Sequence, residues 1–306
     1  MKYHRCPPFT FSNVSPTEPT EFMVFFCHAD FEFRYTLAIY NNDVVSESLY
    51  KKNIGAKRSA TLFERDINGI TLGSSLNKKS VNTDVSSKIP FISFLSINYD
   101  FEIIEIATEW FFRCTFADYD DPVRNTSLMM VPGLKEDTIK IMSEIDIPIS
   151  DIEITLRSDE VHGEKTVDKV HFIRDIDGDK YKLNIFEESG GTFKLFGLLP
   201  HVLIALKGGM LMVVDEMDAG LHPKLLRHIV KLFKNPKINK HNAQVVFTSH
   251  DITTMKSDLF RRDEIWFASK DDSGASEIYS LYEIRNQDGS HVKADAPFYK
   301  QYIVVA

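Results

Sequence analysis

The stretch Leu211 to Pro223, "LMVVDEMDAGLHP", is the part of the sequence that says most about the fold. A short apolar run ends in Asp215 and Glu216, and a short loop then leads to His-Pro. Adjacent residues on a strand point in opposite directions, so we expect the two carboxylates to have different roles. One can hold Mg²⁺, directly or through water, while the other polarises an attacking water in phosphate chemistry. An acidic turn after a buried strand is the alternative.

The last third of the sequence alternates strands and helices. The predicted strands are "MLMVVDE", "AQVVFTSH" and "EIWFAS", and the predicted helices cover "TFKLFGLLPHVLIAL", "PKLLRHIVKLF" and a short segment near "ITTMKSDLF". Short, almost wholly apolar strands alternating with helices indicate a parallel sheet covered on both faces. Ligands bind at the carboxyl ends of such strands, which is where Asp215, Glu216 and His250 all fall.

Two further features accompany the acids. His250 ends the strand "QVVFTSHD", where it could contact a γ-phosphate or orient the attacking water. A lone histidine at a strand end is more often structural, but the Asp-Glu pair upstream favours function. In "ESGGTFKLF", Ser189, Gly190 and Gly191 precede a helix, so their backbone N–H groups and the helix dipole can cradle an anion. A glycine turn with a serine cap is the alternative.

The first half of the sequence has a different pattern. Residues from about Phe22 to Ile70 are predicted to be β-rich, with Asn-Asn-Asp as a turn. "FEIIEIATEWFFRC" has helical spacing, and "EDTIKIMSEIDIP" predicts a helix closed by Pro148. Strands return at "DIEITLR" and in a hairpin that turns at Asp177-Gly178. The predicted domains are residues 1–79, which are β-rich, 80–150, a helical insertion or arm, and 151–306, which hold the acids and glycines.

Composition excludes several classes of protein. The 306 residues carry a formal net charge of −8, which argues against a generic nucleic-acid-coating surface. The densest basic stretch, "KKNIGAKR", is interpreted as a hairpin rim because it lacks interleaved aromatic residues. No apolar run is long enough to span a bilayer, and the N-terminus lacks a signal peptide's apolar core. Three dispersed cysteines (Cys6, Cys27 and Cys114) fit a reduced cytosol.

The three pieces, in this order, resemble the ATP-binding-cassette (ABC) type of ATPase. "ESGGTFKLF" is similar to the signature motif, "LMVVDE" to Walker B, "MDAGLHP" to the D-loop, and "FTSHD" to the switch-histidine loop. Transporters commonly have Asp at the position of His222. The form "DAGLHP" instead resembles AAA-type ATP-binding proteins of bacterial defence loci, which are relatives of the RecF, structural-maintenance-of-chromosomes (SMC) and OLD proteins.

The resemblance extends over most of the chain. "LFERD", "MSEIDIPISDIEI" and "FRRDEIWFASKDDSGASEIYSLYEI" are also similar to segments of that group. The implied fold is α/β, an ABC-type P-loop NTPase with a β-rich lobe and a helical insertion. In that fold residues 1–79 would belong to ATPase lobe I, and residues 151–306 would form the signature, Walker B and switch-histidine part of the core.

The resemblance also implies roles for individual residues. Asp215 would support Mg²⁺, Glu216 would be the general base for water, and His250 would sense the γ-phosphate. The signature residues would bind the γ-phosphate of an ATP held by the opposite subunit, so the active unit would be a homodimer; they are Ser189, Gly190, Gly191 and Thr192. Asp218 and His222, in the D-loop segment, would belong to the nucleotide-binding set.

One expected motif is missing from the sequence. A phosphate loop needs Gly-x-x-x-x-Gly-Lys followed by Ser or Thr, and none of the 14 glycines begins it. The nearest lookalike, "GAKRSATL" at Gly55, has no second glycine before the lysine. The sequence therefore predicts an ATPase without its N-terminal Walker A segment. The absence of the first strand, which belongs to that segment, would leave a vacant position in the sheet. The ending "FYKQYIVVA" also departs from the family pattern.

Three interpretations of function remain open at this point. The first is an ATP-hydrolysing dimer that serves DNA transactions or phage defence beside a nuclease or toxin partner. The second is a non-catalytic remnant or regulatory module that needs another chain to supply the phosphate loop. The third is a nuclease that uses "RDIDGDK" as a metal loop, but Asp-Gly between alternating strands is the usual hairpin turn.

Overall fold

The computed structural model describes residues 7–76, 80–119, 122–158, 165–285, 289–293, 296 and 298. Two compact units are formed, Met1–Phe112 with Lys270–Glu277, and Arg113–Ser269 with Ile278–Ala306. The units divide after residue 112, whereas the sequence-based domain boundaries lie near residues 79 and 150; the insertion or arm stays a prediction. Cys6 and most of "FYKQYIVVA" lie outside the described residues.

The first unit is an antiparallel meander with two helices. Its strands follow one another in the sheet in chain order: β1 (Thr20–His28), β2 (Phe31–Tyr40), β3 (Asp43–Asn53), β4 (Ala60–Asp66) and β5 (Gly69–Leu72). A 3₁₀ turn at Ser15–Thr17 precedes them, and the helices α1 (Phe91–Asn98) and α2 (Glu102–Phe112) follow. The predicted β-rich segment and its turn are confirmed, since Asn41 and Asn42 take the positive φ of a tight hairpin.

A buried carboxylate fixes α1 to this sheet. Glu47 of β3 is fully buried and accepts the backbone N–H groups of Phe91 (2.5 Å) and Ile92 (3.0 Å) at the start of α1. Pro90, which precedes the helix, offers no side-chain cap, so Glu47 satisfies these donors instead. Burial raises the pKa of Glu47, although the hydrogen bonds from Ile92, Phe91 and Tyr35 oppose that shift.

The second unit combines a short parallel sheet, an antiparallel sheet and helices. Its elements are β6 (Cys114–Phe116), α3 (Pro122–Asn125), α4 (Leu134–Glu144), β7 (Asp151–Ser158), β8 (Lys165–Ile176), β9 (Asp179–Asn184), α5 (Gly190–Gly208), β10 (Leu211–Val214), α6 (Pro223–Lys234) and β11 (Gln244–Phe247). Strands β12 (Trp266–Lys270) and β13 (Ser276–Ser280) belong to it only in part, since Lys270–Glu277 is assigned to the first unit. Further 3₁₀ turns lie at Thr126–Met130, Ile185–Glu187, Ile252–Thr254 and Arg262–Glu264. The parallel sheet has the order β11-β10-β6, and the antiparallel sheet has the order β7-β8-β9.

Helix α5 lies at the centre of this unit. Ser189 caps its N-terminus by accepting the N–H of Thr192 at 3.2 Å, and Gly209 ends it in the left-handed conformation. The helix is apolar on most sides because it packs against several neighbours: Phe196 meets Phe172 of β8 edge to face at 5.1 Å. Met212 of β10 is fully buried in the same core.

The parallel sheet differs from the prediction in two ways. Met212 and Val214 are buried on one face, but Phe116 is 75% exposed and Val246 is 58% exposed on the other, so the expected cover on both faces is wrong for the described residues. The predicted strand near Trp266 does not join this sheet either. It becomes β12 and pairs with β13, because the turn after it returns the chain alongside.

Most of the other predicted elements of this unit are confirmed. The hairpin turns at Asp177-Gly178, both at positive φ, which confirms the hairpin interpretation of "RDIDGDK". The short helix near Ile252 is only a 3₁₀ turn. Strand β6 was not predicted, because the pattern "FEIIEIATEWFFRC" continues the helix into its first residue, Cys114.

Replacing the glycine that ends α5 tests this architecture. Gly209→Ala should lower the free energy of unfolding by more than about 2 kcal/mol, because a Cβ at this left-handed position collides with the His241 backbone carbonyl. Gly178→Ala is the matched control, since its φ is also positive but its added Cβ meets nothing within 4 Å. Urea unfolding followed by circular dichroism measures both. Equal losses would contradict the packing of α5 against the segment around His241.

Candidate functional site

The two acids of the site lie just beyond β10. That strand ends at Val214, and Glu216 has a positive φ of 47°, a left-handed conformation that costs a non-glycine residue about 1 kcal/mol or more. The two acids therefore lie in a turn and not on the pleated strand from which the sequence analysis expected opposite side-chain directions. Strained backbone of this kind is common where a side chain has to be aimed.

The hydroxyl of Thr248 joins the ends of β10 and β11. It accepts the backbone N–H of Glu216 at 2.7 Å and donates to Oδ1 of Asp215 at 2.5 Å. The backbone on either side continues the ladder, since Thr248 N–H donates to the carbonyl of Val214 at 3.1 Å and Met217 N–H donates to the carbonyl of Thr248 at 3.0 Å. Both acids are thus held by one residue of the neighbouring strand. Thr248 was not predicted as a site residue from the sequence.

His250 is brought to the same edge. Its Nε2 lies 3.8 Å from Oε1 of Glu216, and both side chains are largely exposed, at 85% and 62%. The backbone N–H of His250 lies 3.2 Å from each carboxylate oxygen of Asp218. The structure therefore places the predicted residues Asp215, Glu216, Asp218 and His250 in one cluster.

A third strand contributes residues that the sequence analysis did not identify. A cavity of about 270 Å³ is lined by Asp215 and Glu216 together with Ala117, Asp118, Tyr119 and Ala219. Asp118 and Tyr119 follow β6, and the hydroxyl of Tyr119 donates to the backbone carbonyl of Glu216. Only the recognition of "CTFAD" as a strand end would have predicted their position, and that strand is three residues long.

The predicted signature residues form the N-terminus of α5. The hydroxyls of Ser189 and Thr192 lie 2.9 Å apart, so the serine acts as a helix cap. A Cβ at Gly191 would lie 3.4 Å from the carbonyl of Gly220, which brings the start of α5 beside the loop after Glu216. Gly190 faces open space, so an anion could approach its backbone. The helix start and the acid loop are therefore neighbours.

His222 has a structural position at the start of α6. Its Nδ1 accepts the backbone N–H of Lys224 at 3.2 Å, and Pro223 takes the first helical position. The side chain is exposed, so its other ring nitrogen faces outward. The proposed nucleotide-binding roles of His222 and of the signature residues stay predictions.

The charges at the site suit a cation that takes only some of its ligands from the protein. The cavity carries the carboxylates of Asp118, Asp215 and Glu216. Within the described ranges, no group of three or more His, Cys, Asp or Glu side chains could hold a metal ion by itself. Mg²⁺ commonly takes one or two carboxylates and completes its shell with phosphate oxygens and water. The residues therefore fit Mg²⁺ that arrives with a phosphate ligand.

The fold and the site together define the class of protein. The second unit is α/β, with acids and a histidine at the ends of adjacent parallel strands and a helix that begins with glycine beside them. This is the ABC-type P-loop NTPase fold. Residues 6–256 match the family described as "AAA domain, putative AbiEii toxin, Type IV TA system". The chain therefore belongs to this AAA-domain family of ATPases.

Solved structures similar to this chain are SMC head domains. A crystal structure of the SMC head bound to the C-winged helix domain of ScpA has 15% sequence identity and a TM-score of 0.42, covering 82% of this chain and 74% of that chain. The SMC head domain from Thermotoga maritima has 13% identity and a TM-score of 0.38, with coverages of 82% and 74%. At these values the likeness says nothing about function. No match to a curated protein reaches significance.

The bridging hydroxyl of Thr248 can be tested directly. Thr248→Val should lower the free energy of unfolding by about 1 kcal/mol, because the Asp215 carboxylate and the Glu216 N–H lose their shared partner. Thr248→Ser keeps the hydroxyl and should retain most of that stability. Urea unfolding of the two variants gives the comparison. Equal losses would mean that the methyl group, and not the bridge, accounts for the effect.

Proposed function

We propose that the chain supplies the hydrolytic half of an ATP site. The observation that carries this proposal is the arrangement in which Thr248 fixes Asp215 and Glu216 at the carboxyl ends of adjacent parallel strands, with His250 3.8 Å from Glu216. Two neighbouring carboxylates with different partners, Thr248 for Asp215 and His250 for Glu216, can divide the work of metal support and water activation. Membership of the AAA-domain family supports ATP as the nucleotide.

Each residue then has a defined task. Asp215 accepts a hydrogen bond from Thr248 on one oxygen, so its other oxygen is the one to support a metal directly or through water. Glu216 takes the proton of the attacking water, and His250 beside it orients that water or contacts the γ-phosphate. Bound Mg²⁺ would neutralise charge on the phosphate oxygens.

The phosphate-gripping part of the site is not within these 306 residues. None of the 14 glycines begins a phosphate loop, so a segment outside them, on the same or another polypeptide, would supply it. In the described part of the chain β11 is an edge strand, and the exposed Val246 and Phe116 leave an apolar sheet face uncovered. A parallel apolar strand pairing with β11 would satisfy that edge and place its following loop beside Asp215 and Glu216.

A homodimer follows from the same proposal. The signature residues Ser189 to Thr192 begin α5 with free approach at Gly190, which suits them to contact the γ-phosphate of an ATP held by a second copy. Two copies would then enclose two nucleotides. The alternative is a regulatory module that keeps this surface without hydrolysis, and it is favoured by the absence of the phosphate loop from the sequence.

The biological setting is proposed from the family. The description of that family names a toxin of a toxin–antitoxin system, so phage defence beside a nuclease or toxin partner is the setting we propose, with DNA as a further candidate partner. Dispersed cysteines suit a reducing cytoplasm. Among the described residues, no helix is both long and apolar enough to cross a membrane.

The general-base assignment is tested by Glu216→Gln in a preparation that includes the phosphate loop. ATP hydrolysis, measured as phosphate release, should fall at least about 100-fold because the amide cannot take a proton. ATP-driven dimerisation, measured by light scattering, should persist. Glu136→Gln, at an exposed position in the first turn of α4, is the matched control and should leave both unchanged. Normal turnover by the Glu216 variant would refute the assignment.

A further inference from the structure

At the end of β6, Tyr119 contacts the backbone of the proposed general base, Glu216. Its side chain is only 4% exposed, and its hydroxyl donates to the carbonyl of Glu216. The same carbonyl also accepts the N–H of Ala219 at 2.8 Å. Glu216 has the left-handed backbone conformation, which is energetically unfavourable for a residue other than glycine. A second donor from a rigid, buried ring therefore stabilises the strained turn.

The ring of Tyr119 is in turn contacted by α5. The ammonium of Lys194 lies 5.1 Å from the ring centroid, which is within the range of a cation–π contact. Lys194 lies one turn after the start of α5, and its stem runs beside Gly220, where an added Cβ would lie 3.4 Å from its Cγ. One side chain of the signature helix therefore contacts both Tyr119 and the loop that follows Glu216.

The backbone around Tyr119 is tied to the same helix. Nδ2 of Asn125 donates to the carbonyl of Asp118 at 2.6 Å and lies 3.5 Å from the carbonyl of Gly197. A Cβ at Gly197 would lie 2.9 Å from Cγ of Pro122 and 3.1 Å from the carbonyl of Tyr119, so a side chain there would crowd the segment that carries Tyr119. The position of Tyr119, and through it that of the Glu216 backbone, depends on where α5 lies.

We infer that Tyr119 is a positioning residue that holds the Glu216 backbone in its strained conformation and links it to the signature helix through Lys194. The functional importance of this link rests on the proposed function. If Glu216 is the general base, a change at the N-terminus of α5 would alter the orientation of that base in the same subunit. The contacts themselves, between α5, the β6 end and the turn after β10, can be tested without nucleotide.

The first test uses the chain without nucleotide. Tyr119→Phe keeps the ring and removes the hydroxyl, so amide hydrogen exchange in residues 215–221 should accelerate about tenfold beyond any change in global stability. The ring ¹H–¹³C signal of His250 should shift, because the Glu216 carboxylate beside it moves, while that of His228 on α6 should not. Tyr181→Phe, on the exposed face of β9, is the matched control. Unchanged exchange and an unchanged His250 signal would overturn the positioning role.

The second test examines the link to α5. Lys194→Met keeps the stem beside Gly220 and removes the charge, so it should accelerate exchange in residues 215–221 less than Tyr119→Phe does. In the double variant the rate should equal that of Tyr119→Phe alone, because Lys194 acts through the tyrosine. Additive effects would show that Lys194 acts on the loop directly, and the link would be wrong.

A kinetic measurement separates this inference from the proposed function. In a preparation that hydrolyses ATP, Tyr119→Phe should lower kcat about tenfold and leave the KM for ATP unchanged. An unchanged kcat there would also overturn the positioning role. If the wild-type protein with a phosphate loop neither binds nor hydrolyses ATP, the proposed function fails, whereas the exchange and ring-signal results still decide whether Tyr119 holds Glu216.

Discussion

One hydroxyl, that of Thr248, connects the ends of two parallel strands and thereby fixes the carboxylate of Asp215 and the backbone of Glu216. It uses its donor on Asp215 and an acceptor position on the N–H of Glu216, so neither group can turn without breaking a short hydrogen bond. The turn that follows is strained at Glu216. Such strain persists only where surrounding contacts outweigh its cost, and here Thr248 and Tyr119 supply those contacts from two different strands.

The rest of the second unit serves to place those strand ends. Helix α5 fills the space between the two sheets, and its apolar sides bury one face of the parallel strands. The opposite face and the outer edge of β11 have no comparable cover in the described residues, and Phe116 and Val246 are exposed there. Apolar surface beside an open strand edge is typical of a sheet that accepts a further strand. The added strand that we propose would account for both the uncovered face and the missing phosphate loop.

Much of this arrangement could be predicted from the sequence. The apolar runs around Met212 and Val245, their flanking helices and the Asp177-Gly178 turn are local patterns, and the strand ends gave Asp215, Glu216 and His250. Thr248 and Tyr119 could not be found in this way. Their hydrogen bonds to Glu216 span 32 and 97 residues of sequence, and each depends on a strand pairing that no local pattern encodes. Strand β6 is too short to show the alternation of apolar and polar residues that identifies a strand.

The most direct test of the account is a structure of the protein, purified with any natural partner, bound to Mg²⁺ and a slowly hydrolysed ATP analogue. We predict Asp215 at the metal or its water, Glu216 at the water facing the γ-phosphate, and an added parallel strand along β11 whose loop contacts the phosphates. Nucleotide bound away from these strand ends, or at them with β11 still an open edge, would contradict it.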